Sequence, residues 1–251
     1  MVRVVEESVL DRELGIPLLQ PAPLRITAAV MKHLILITAG TLAFAGCSTQ
    51  STKSAPPKTS PAPAASAPAS SVGTKDAEGY TLLFDGTWNG WRVSENPGSW
   101  KIVSGAFLAN GERSHNYYVG PLQPFKDFEL RLDVMTAPGA NGGVYIHTKF
   151  QDTGWPWGGY EIQVNNSQGD WRRTGSVYAV KDVKETAAKD NQWWDYRIRV
   201  KGDTIQVYVD GKLVNEFKEE PGRKAGKDFE RKLNAGTIAL QAHDPGSFVY
   251  Y

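Results

Sequence analysis

The chain has 251 residues and a formal net charge of +1, with charges of both signs interspersed along it. A net charge this close to zero gives no positive electrostatic potential to attract a polyanion, which argues against nucleic acid as a partner. All eight Trp lie beyond residue 79, so only residues 79–251 can build a hydrophobic core, and their number fits a single domain.

Residues 31–47 follow the three-part pattern of a bacterial lipoprotein signal peptide. Met31 and two basic residues precede the apolar run 34–44, and Ala45-Gly46-Cys47 follows it. The run is too short to cross a bilayer as a stable helix, and a buried helix is the alternative reading. The pattern predicts export, lipidation of Cys47 and, because Ser48 follows the cysteine, a lipid anchor in the outer membrane of the cell envelope.

The segments on either side of this signal are predicted to lie outside the folded domain. Residues 1–30 contain three Pro and do not fit the start of a signal peptide, so we interpret them as an upstream extension that is foreign to the native protein. Residues 48–78 are rich in Ser, Ala and Pro, and a segment this poor in large apolar residues is expected to be a disordered tether.

The remainder of the chain reads as short strands separated by turns. Apolar and polar residues alternate over 128–134, 144–147, 160–164, 196–200, 205–209 and 236–242. Turn signals at 201–204 and 210–211 predict a three-stranded meander over 196–217. The pattern predicts an all-β antiparallel sandwich, with one or two helical turns over 181–191 and a charged, mobile loop over 219–232.

Alternation also assigns side chains to faces of the sheet. Where the apolar residues of three of these strands point into the core, polar side chains point away from it. The outward set is Tyr145 and His147, then Glu161, Gln163 and Asn165, then Gln241 and His243. If the three strands are neighbours, these side chains form one polar face.

Loops near these strands carry further candidate ligand contacts. Trp155, Trp157 and Trp171 lie in glycine-containing loops, where an indole ring can stack on the apolar face of a sugar. Arg172 and Arg173 are candidate partners for sugar hydroxyls, or solvated loop charges. These side chains are therefore candidate contacts for a ligand, and the near-zero net charge favours a neutral one.

Several motifs together resemble one known family, the 3-keto-disaccharide hydrolase domain, which was long catalogued as a domain of unknown function. The matching motifs are Leu-Leu-Phe-Asp-Gly at 82–86 with Trp88 and Trp91, then 141–147, 159–166, 174–178, 191–212 and 239–243. The resemblance implies a concanavalin-like jelly roll that binds a carbohydrate ligand and cleaves glycosides already oxidised at C3. The chain departs from the family at His147, where many members carry Arg. It also ends at Tyr251, before a final strand that the family usually has, which suggests a truncated sequence.

The implied chemistry needs a base, an oxyanion stabiliser and an acid, because a 3-keto group acidifies the C2 proton and permits β-elimination of the C1 substituent. Glu161 is the candidate base, although a strand carboxylate is otherwise an ordinary surface or ion-pair residue. His147 is a candidate for stabilising the enolate or donating a proton, and is otherwise a structural hydrogen-bonding residue. His243 either orients an acid or joins His147 and Glu161 in binding a divalent metal, the one cofactor that this set suggests. Tyr145, Gln163, Asn165 and Gln241 are candidate substrate contacts.

One comparison disfavours ordinary retaining hydrolysis. Concanavalin-like retaining glucanases carry Glu-x-Asp-x-x-Glu on a strand, whereas the corresponding positions here are Glu161, Gln163 and Asn166. An elimination route needs fewer carboxylates. The alternatives to an enzyme are a lectin-like carbohydrate-binding module and an interaction domain whose loops contact envelope protein or glycan.

Overall fold

A computed structural model of the chain describes residues 1–6 and 72–251. Within them, two antiparallel sheets pack as a β-sandwich of jelly-roll type, which confirms the predicted fold class. The nine-stranded sheet runs β12 (Lys212–Lys218), β11 (Thr204–Val209), β10 (Trp194–Lys201), β7 (Phe128–Thr136), β14 (Val249–Tyr250), β5 (Ala106–Ala109) and β4 (Trp100–Val103), and also includes β1 (Val2–Glu6) and β2 (Thr81–Leu82). The five-stranded sheet runs β3 (Trp91–Val93), β6 (Ser114–Tyr118), β13 (Thr237–Ala242), β8 (Gly142–Thr148) and β9 (Tyr160–Val164).

The core lies between the two sheets and follows the alternation of their strands. Apolar residues of β7, β10 and β11 meet those of β8, β9 and β13 in one buried cluster. Burying a large aliphatic side chain stabilises the fold by about 1.5–3 kcal/mol. The cluster includes Leu130, Leu132, Ile198 and Val207 from the first sheet, and Val144, Ile146, Ile162, Ile238 and Leu240 from the second.

The meander predicted for residues 196–217 is confirmed as β10, β11 and β12. Asp210 and Gly211 close the β11–β12 hairpin with φ values of 47° and 75°. Two consecutive left-handed residues are what a type I′ turn requires, and Asp-Gly is a favoured pair for it. The helical turns considered for residues 181–191 are absent from the described structure. This segment is irregular, with isolated bends and a turn at its end, and Lys181 forms a bridge to Val177.

The first residues of the chain belong to the sandwich, so the expectation that 1–30 stands outside the fold is wrong for them. β1 pairs with β7, placing Val2 opposite Leu132 and Val4 opposite Leu130. Val2 and Val4 are buried in the core, because a β-branched alternating segment fits the free edge of β7. Because the pairing of β1 depends on a strand far away in sequence, the composition of residues 1–6 does not predict it.

The other predictions for the N-terminal region lie outside the described residues. They are the signal peptide 31–47, its lipidation site Cys47 and residues 48–71 of the tether predicted over 48–78. The tether prediction is wrong for residues 73–76, whose backbone pairs with residues 80–82. Within residues 1–6 and 72–251, no helix is long and apolar enough to span a membrane.

A β-bulge interrupts the pairing of β8 with β13. Thr148 pairs with Thr237 and Tyr145 pairs with Ala239, so two residues of β8 oppose one residue of β13. His147 has φ 55° at this point. The neighbouring turn needs glycine, because Gly159 has φ 70° and a Cβ there would lie 1.8 Å from the carbonyl oxygen of Ile146.

Candidate functional site

A cavity of about 400 Å³ opens on the outer face of the five-stranded sheet. Its floor comes from β8, β9 and β13, which are neighbours in the sheet, as the polar-face hypothesis required. Loops that follow β8, β9 and β12 form its walls. The lining residues are Asn141, Tyr145, Trp155, Pro156, Trp157, Gly159, Glu161, Gln163, Gln168, Asp170, Tyr178, Phe229, Arg231, Gln241 and His243.

Glu161 lies at the centre of this floor with both carboxylate oxygens occupied. The Tyr145 hydroxyl donates to Oε2 at 2.9 Å, and Nε2 of Gln241 donates to Oε1 at 2.9 Å. Burial raises the pKa of Glu161 to about 7, against the opposing effect of these two hydrogen bonds. A carboxylate with this pKa can both accept and return a proton near neutral pH.

The cavity floor also includes the amide side chains of Gln163 and Gln241. Nε2 of Gln163 donates to Oδ1 of Asn141 at 3.1 Å. Among the described residues, Oε1 of Gln163 and Oε1 of Gln241 are buried without a hydrogen-bond donor. Buried polar atoms normally find partners, so the hydrogen bonding of these two amide oxygens is incomplete in this part of the floor.

His243 lies in the cavity wall and is oriented by its neighbour in sequence. Its Nδ1 is 2.5 Å from Oδ2 of Asp244, and Oδ1 of Asp244 accepts from the Ser247 hydroxyl at 3.0 Å. The Trp155 ring packs against the imidazole with centroids 5.4 Å apart. The Asp244 carboxylate at Nδ1 fixes the orientation of the imidazole ring and favours the tautomer that carries a hydrogen on Nδ1.

His147 does not reach the cavity, contrary to the face that alternation assigned to it. The bulge turns the residue, and its ring packs on Phe128 with centroids 5.6 Å apart. Nε2 is 2.8 Å from the Lys126 carbonyl oxygen, and Nδ1 accepts the Asn234 backbone N–H at 3.1 Å. Burial lowers the pKa of His147. Because backbone groups occupy both ring nitrogens, His147 has the structural hydrogen-bonding role that was the alternative to a catalytic one.

The metal set considered from sequence is therefore not assembled. His147 is separated from Glu161 and His243 by its position at the bulge, and no group of at least three His, Cys, Asp or Glu among residues 1–6 and 72–251 has an arrangement that could hold a metal ion. Glu161 is instead surrounded by the hydroxyl of Tyr145 and the amide of Gln241.

Asn165 and Arg173 build the wall that follows β9 rather than lining the cavity. Nδ2 of Asn165 donates to the carbonyl oxygens of Asp170 and Arg172, each at 2.9 Å. Nη1 of Arg173 donates to Oδ1 of Asn165 at 3.1 Å and to the Gln168 carbonyl oxygen at 2.6 Å. These bonds hold the loop that brings the side chains of Gln168 and Asp170 to the cavity.

Arg172 also lies outside the lining. Its guanidinium carbon lies 4.9 Å from the ring centroids of both Trp171 and Tyr178, and it forms ion pairs with Asp170 and Asp182. Trp171 is 49% exposed outside the cavity, whereas Trp155 and Trp157 line it. The loop aromatics are thus divided between the cavity and the outer surface.

Sequence reasoning missed the wall that comes from the 219–232 loop. Phe229 and Arg231 line the cavity, and Glu230 anchors them: its N–H donates to the Trp157 carbonyl oxygen at 2.8 Å, and its Oε2 accepts the Gly159 N–H at 3.1 Å. The one signal was Phe229, a large apolar residue in an otherwise charged segment.

Strand β6 was also missed, because all of its residues are buried and the sequence shows no alternation. It places His115 opposite Gln241 of β13. The His115 ring packs on Tyr145 and Trp155, with centroids 5.3 Å and 5.5 Å away. Burial lowers the pKa of His115 to about 3, so this imidazole is neutral beside the cavity.

Comparison with known proteins agrees with this architecture. An 80-residue stretch is 34% identical to a 3-keto-disaccharide hydrolase of Bacteroides thetaiotaomicron, a match that spans only 28% of this chain and 28% of that protein. A solved structure of a candidate glycosyl hydrolase from Parabacteroides distasonis has a TM-score of 0.57 at 21% identity, covering 69% of this chain and 91% of that one. A second structure from the same organism has a TM-score of 0.52 at 21% identity, covering 67% of this chain and 93% of that one. At this identity the two structures establish the shared fold. The sequence model of the 3-keto-alpha-glucoside-1,2-lyase-like domain matches residues 79–251, and the chain belongs to that family.

Proposed function

We propose that this protein cleaves glycosides whose sugar is oxidised at C3, by elimination across C1 and C2 followed by hydration. The observation that carries the proposal is Glu161, a carboxylate in a cavity floor with a pKa of about 7 and two hydrogen-bond donors that fix both oxygens. The family description and the name of the Bacteroides relative support the substrate class.

In the proposed reaction, Glu161 removes the proton from C2, and the electron pair of that C–H bond forms a C2–C3 double bond with an enolate oxygen at C3. As the C3 carbonyl re-forms, the double bond moves to C1–C2 and the bond from C1 to the leaving oxygen breaks. The leaving oxygen takes a proton from an acid. His243, oriented by Asp244, is the proposed acid.

The second half of the reaction restores the sugar. Water adds to C1 of the enone, and a proton returns to C2, so the net change is hydrolysis of the glycosidic bond. Protonated Glu161 is the proposed donor to C2, since its pKa of about 7 allows it to give back the proton that it took. No oxidant or reductant is consumed.

Substrate binding is assigned to the amides and aromatic rings of the cavity. Gln163 and Gln241 contribute amide side chains to the cavity lining, and Trp155 and Trp157 can stack on the apolar face of a sugar ring. A cavity of about 400 Å³ is within the usual range for small-ligand sites.

The decisive test replaces the base with its amide. Glu161→Gln should lower kcat on a C3-oxidised methyl α-glucoside by about 1,000-fold or more, while a C3-oxidised disaccharide still binds. The exposed strand residue Glu216 provides the matched control, Glu216→Gln. If the unmodified protein binds glucans yet releases nothing from any 3-keto substrate, with and without divalent metal, the lectin-like module replaces the enzyme.

We also propose that the protein is exported and anchored to the envelope through lipidated Cys47, with the part of the 48–78 segment before residue 73 as tether. The support is the sequence pattern of residues 31–47. Cys47→Ser should move the protein from the membrane fraction to the soluble periplasmic fraction and abolish metabolic labelling with a fatty acid. Unchanged fractionation would remove the anchor from the proposal.

A further inference from the structure

Arg231 enters the cavity wall from the segment between β12 and β13. Its backbone has φ 46°, a left-handed conformation that is uncommon for a residue with a side chain. The segment is held in place on both sides of Arg231: Nε of Arg223 donates to the Arg231 carbonyl oxygen at 2.7 Å, and Glu230 is bonded to Trp157 and Gly159. Strained backbone that its surroundings hold in place is typical of functional positions.

The guanidinium of Arg231 has no counter-ion in the described part of the chain. It lies against the Phe229 ring, 5.3 Å from its centroid, and forms no ion pair with a carboxylate there. Asp170, the other acid in the cavity lining besides Glu161, is neutralised by Arg172. Among the described lining residues, Arg231 alone carries a permanent positive charge.

Arg231 also acts on the base electrostatically. Burial is the main influence on the pKa of Glu161 and raises it, while among the charged neighbours Arg231 lowers it and Asp170 raises it. The unpaired cation and the proposed base therefore face the same ligand space, because both line the cavity.

The proposed reaction needs a positive group at the C3 oxygen, and the residue suggested by sequence for that task, His147, lies behind the bulge. Gln163 and Gln241 are neutral, and His243 is engaged by Asp244. We infer that Arg231 is a catalytic residue of the proposed reaction: its N–H groups donate to the C3 oxygen of the substrate and stabilise the negative charge that forms there when the C2 proton leaves.

The inference rests on the proposed function and adds a basis for substrate selection. An unoxidised sugar carries a hydroxyl at C3 and develops no charge there, so Arg231 would act mainly in the transition state of a 3-keto substrate. Interactions made only in the transition state change kcat more than KM. A planar guanidinium presents several donors at fixed positions, which lysine cannot reproduce.

The test compares Arg231→Met, Arg231→Lys and the control Lys227→Met, which changes an exposed charge in the same segment. With the C3-oxidised methyl α-glucoside, Arg231→Met should lower kcat by about 100- to 1,000-fold and leave KM within about threefold. Arg231→Lys should fall between Arg231→Met and the unmodified protein, and Lys227→Met should match the unmodified protein. Exchange of the C2 hydrogen in D2O, followed by NMR, should slow with kcat.

Two results would overturn the role of Arg231: a kcat for Arg231→Met within about threefold of the unmodified protein, or a raised KM with unchanged kcat. Binding of unoxidised methyl α-glucoside, measured by calorimetry, should be equal in all variants, and a loss confined to Arg231→Met would also overturn it by making the residue a general sugar contact. If the unmodified protein itself turns over no 3-keto substrate, the proposed function fails first. The two failures are therefore distinguishable.

Discussion

A Cβ placed on Gly143 would lie 2.6 Å from Oε1 of Glu161. Gly143 is on β8 and Glu161 is on the adjacent strand β9. The absence of a side chain at Gly143 therefore leaves the space that the Glu161 carboxylate occupies. This spatial relationship gives the first prediction.

Gly143→Ala should leave the fold intact and impair the reaction. The atom that must yield is the far end of the Glu161 side chain, so the carboxylate moves and its 2.9 Å bond to Gln241 is strained. We expect kcat on a 3-keto glucoside to fall by about 10- to 100-fold, with a nearly unchanged melting temperature. Gly169→Ala is the control, since nothing lies within 4 Å of a Cβ there. Equal activity of the two variants would contradict the prediction.

The rate should depend on pH through Glu161. Because the base works in its ionised form, kcat/KM should rise as pH increases through about 7, the pKa of Glu161. Tyr145→Phe removes a hydroxyl that donates to Oε2 and favours the ionised form. The midpoint of the pH–rate profile should therefore move to higher pH in this variant.

Tyr117→Phe is the matched control for the pH experiment. Tyr117 packs on the same sheet face, but its hydroxyl has no hydrogen-bond partner among the described residues and it does not line the cavity. Its midpoint should equal that of the unmodified protein. A Tyr145→Phe midpoint that stays in place or moves to lower pH would argue that Glu161 is not the titrating base.

Glu161 should also reduce stability at higher pH. Its pKa in the folded protein is raised from 4.5 to about 7, so the folded state retains a proton that the unfolded chain releases in this interval. The resulting stabilisation is fully present below pH 4.5 and lost as pH rises through about 7. At about 1.4 kcal/mol per pKa unit the loss is at most about 3 kcal/mol, because the carboxylate partly faces the open cavity.

Glu161→Gln should abolish this contribution. Denaturant unfolding across the same pH interval should show that the stability difference, variant minus unmodified protein, increases as pH rises. His115 contributes the opposite trend in both proteins, since its pKa is lowered to about 3 and the folded state loses stability as pH falls below 6.5. Subtracting the stability of the unmodified protein from that of the variant removes the His115 contribution, which both proteins share. A stability difference that stays constant with pH would refute a raised pKa for Glu161.

In the full-length chain, from which cleavage before Cys47 has not removed residues 1–46, the N-terminal strand β1 should contribute to stability. Val4 is 3% exposed and packs in the core, so Val4→Asp would bury an unpaired carboxylate and lower the free energy of unfolding by about 3–5 kcal/mol. Val103→Asp is the control because Val103 is 38% exposed on the end strand β4 of the same sheet. Thermal unfolding of the two variants measures the difference, and equal melting temperatures would show that β1 is dispensable.

The sandwich, most of its strands and the polar floor of the cavity follow from the alternation of residues along the chain. Alternation is a local property, and the faces it assigned to Tyr145, Glu161, Gln163 and Gln241 are those observed in the cavity floor. The family motifs over 79–251 were also readable without coordinates. These features depend on residues close together in the chain.

Other features depend on partners that are distant in the chain, and these could be seen only in the folded protein. The bulge that removes His147 arises from the register between β8 and β13. β1 joins the sheet because β7, far along the chain, has a free edge, and Arg231 reaches the cavity because Glu230 binds the loop after β8. Asn165 and Arg173 face a loop that folds back on them. Alternation predicts the face of a side chain in a regular strand, whereas bulges, edge pairing and loop closure are set by contacts between segments far apart in sequence.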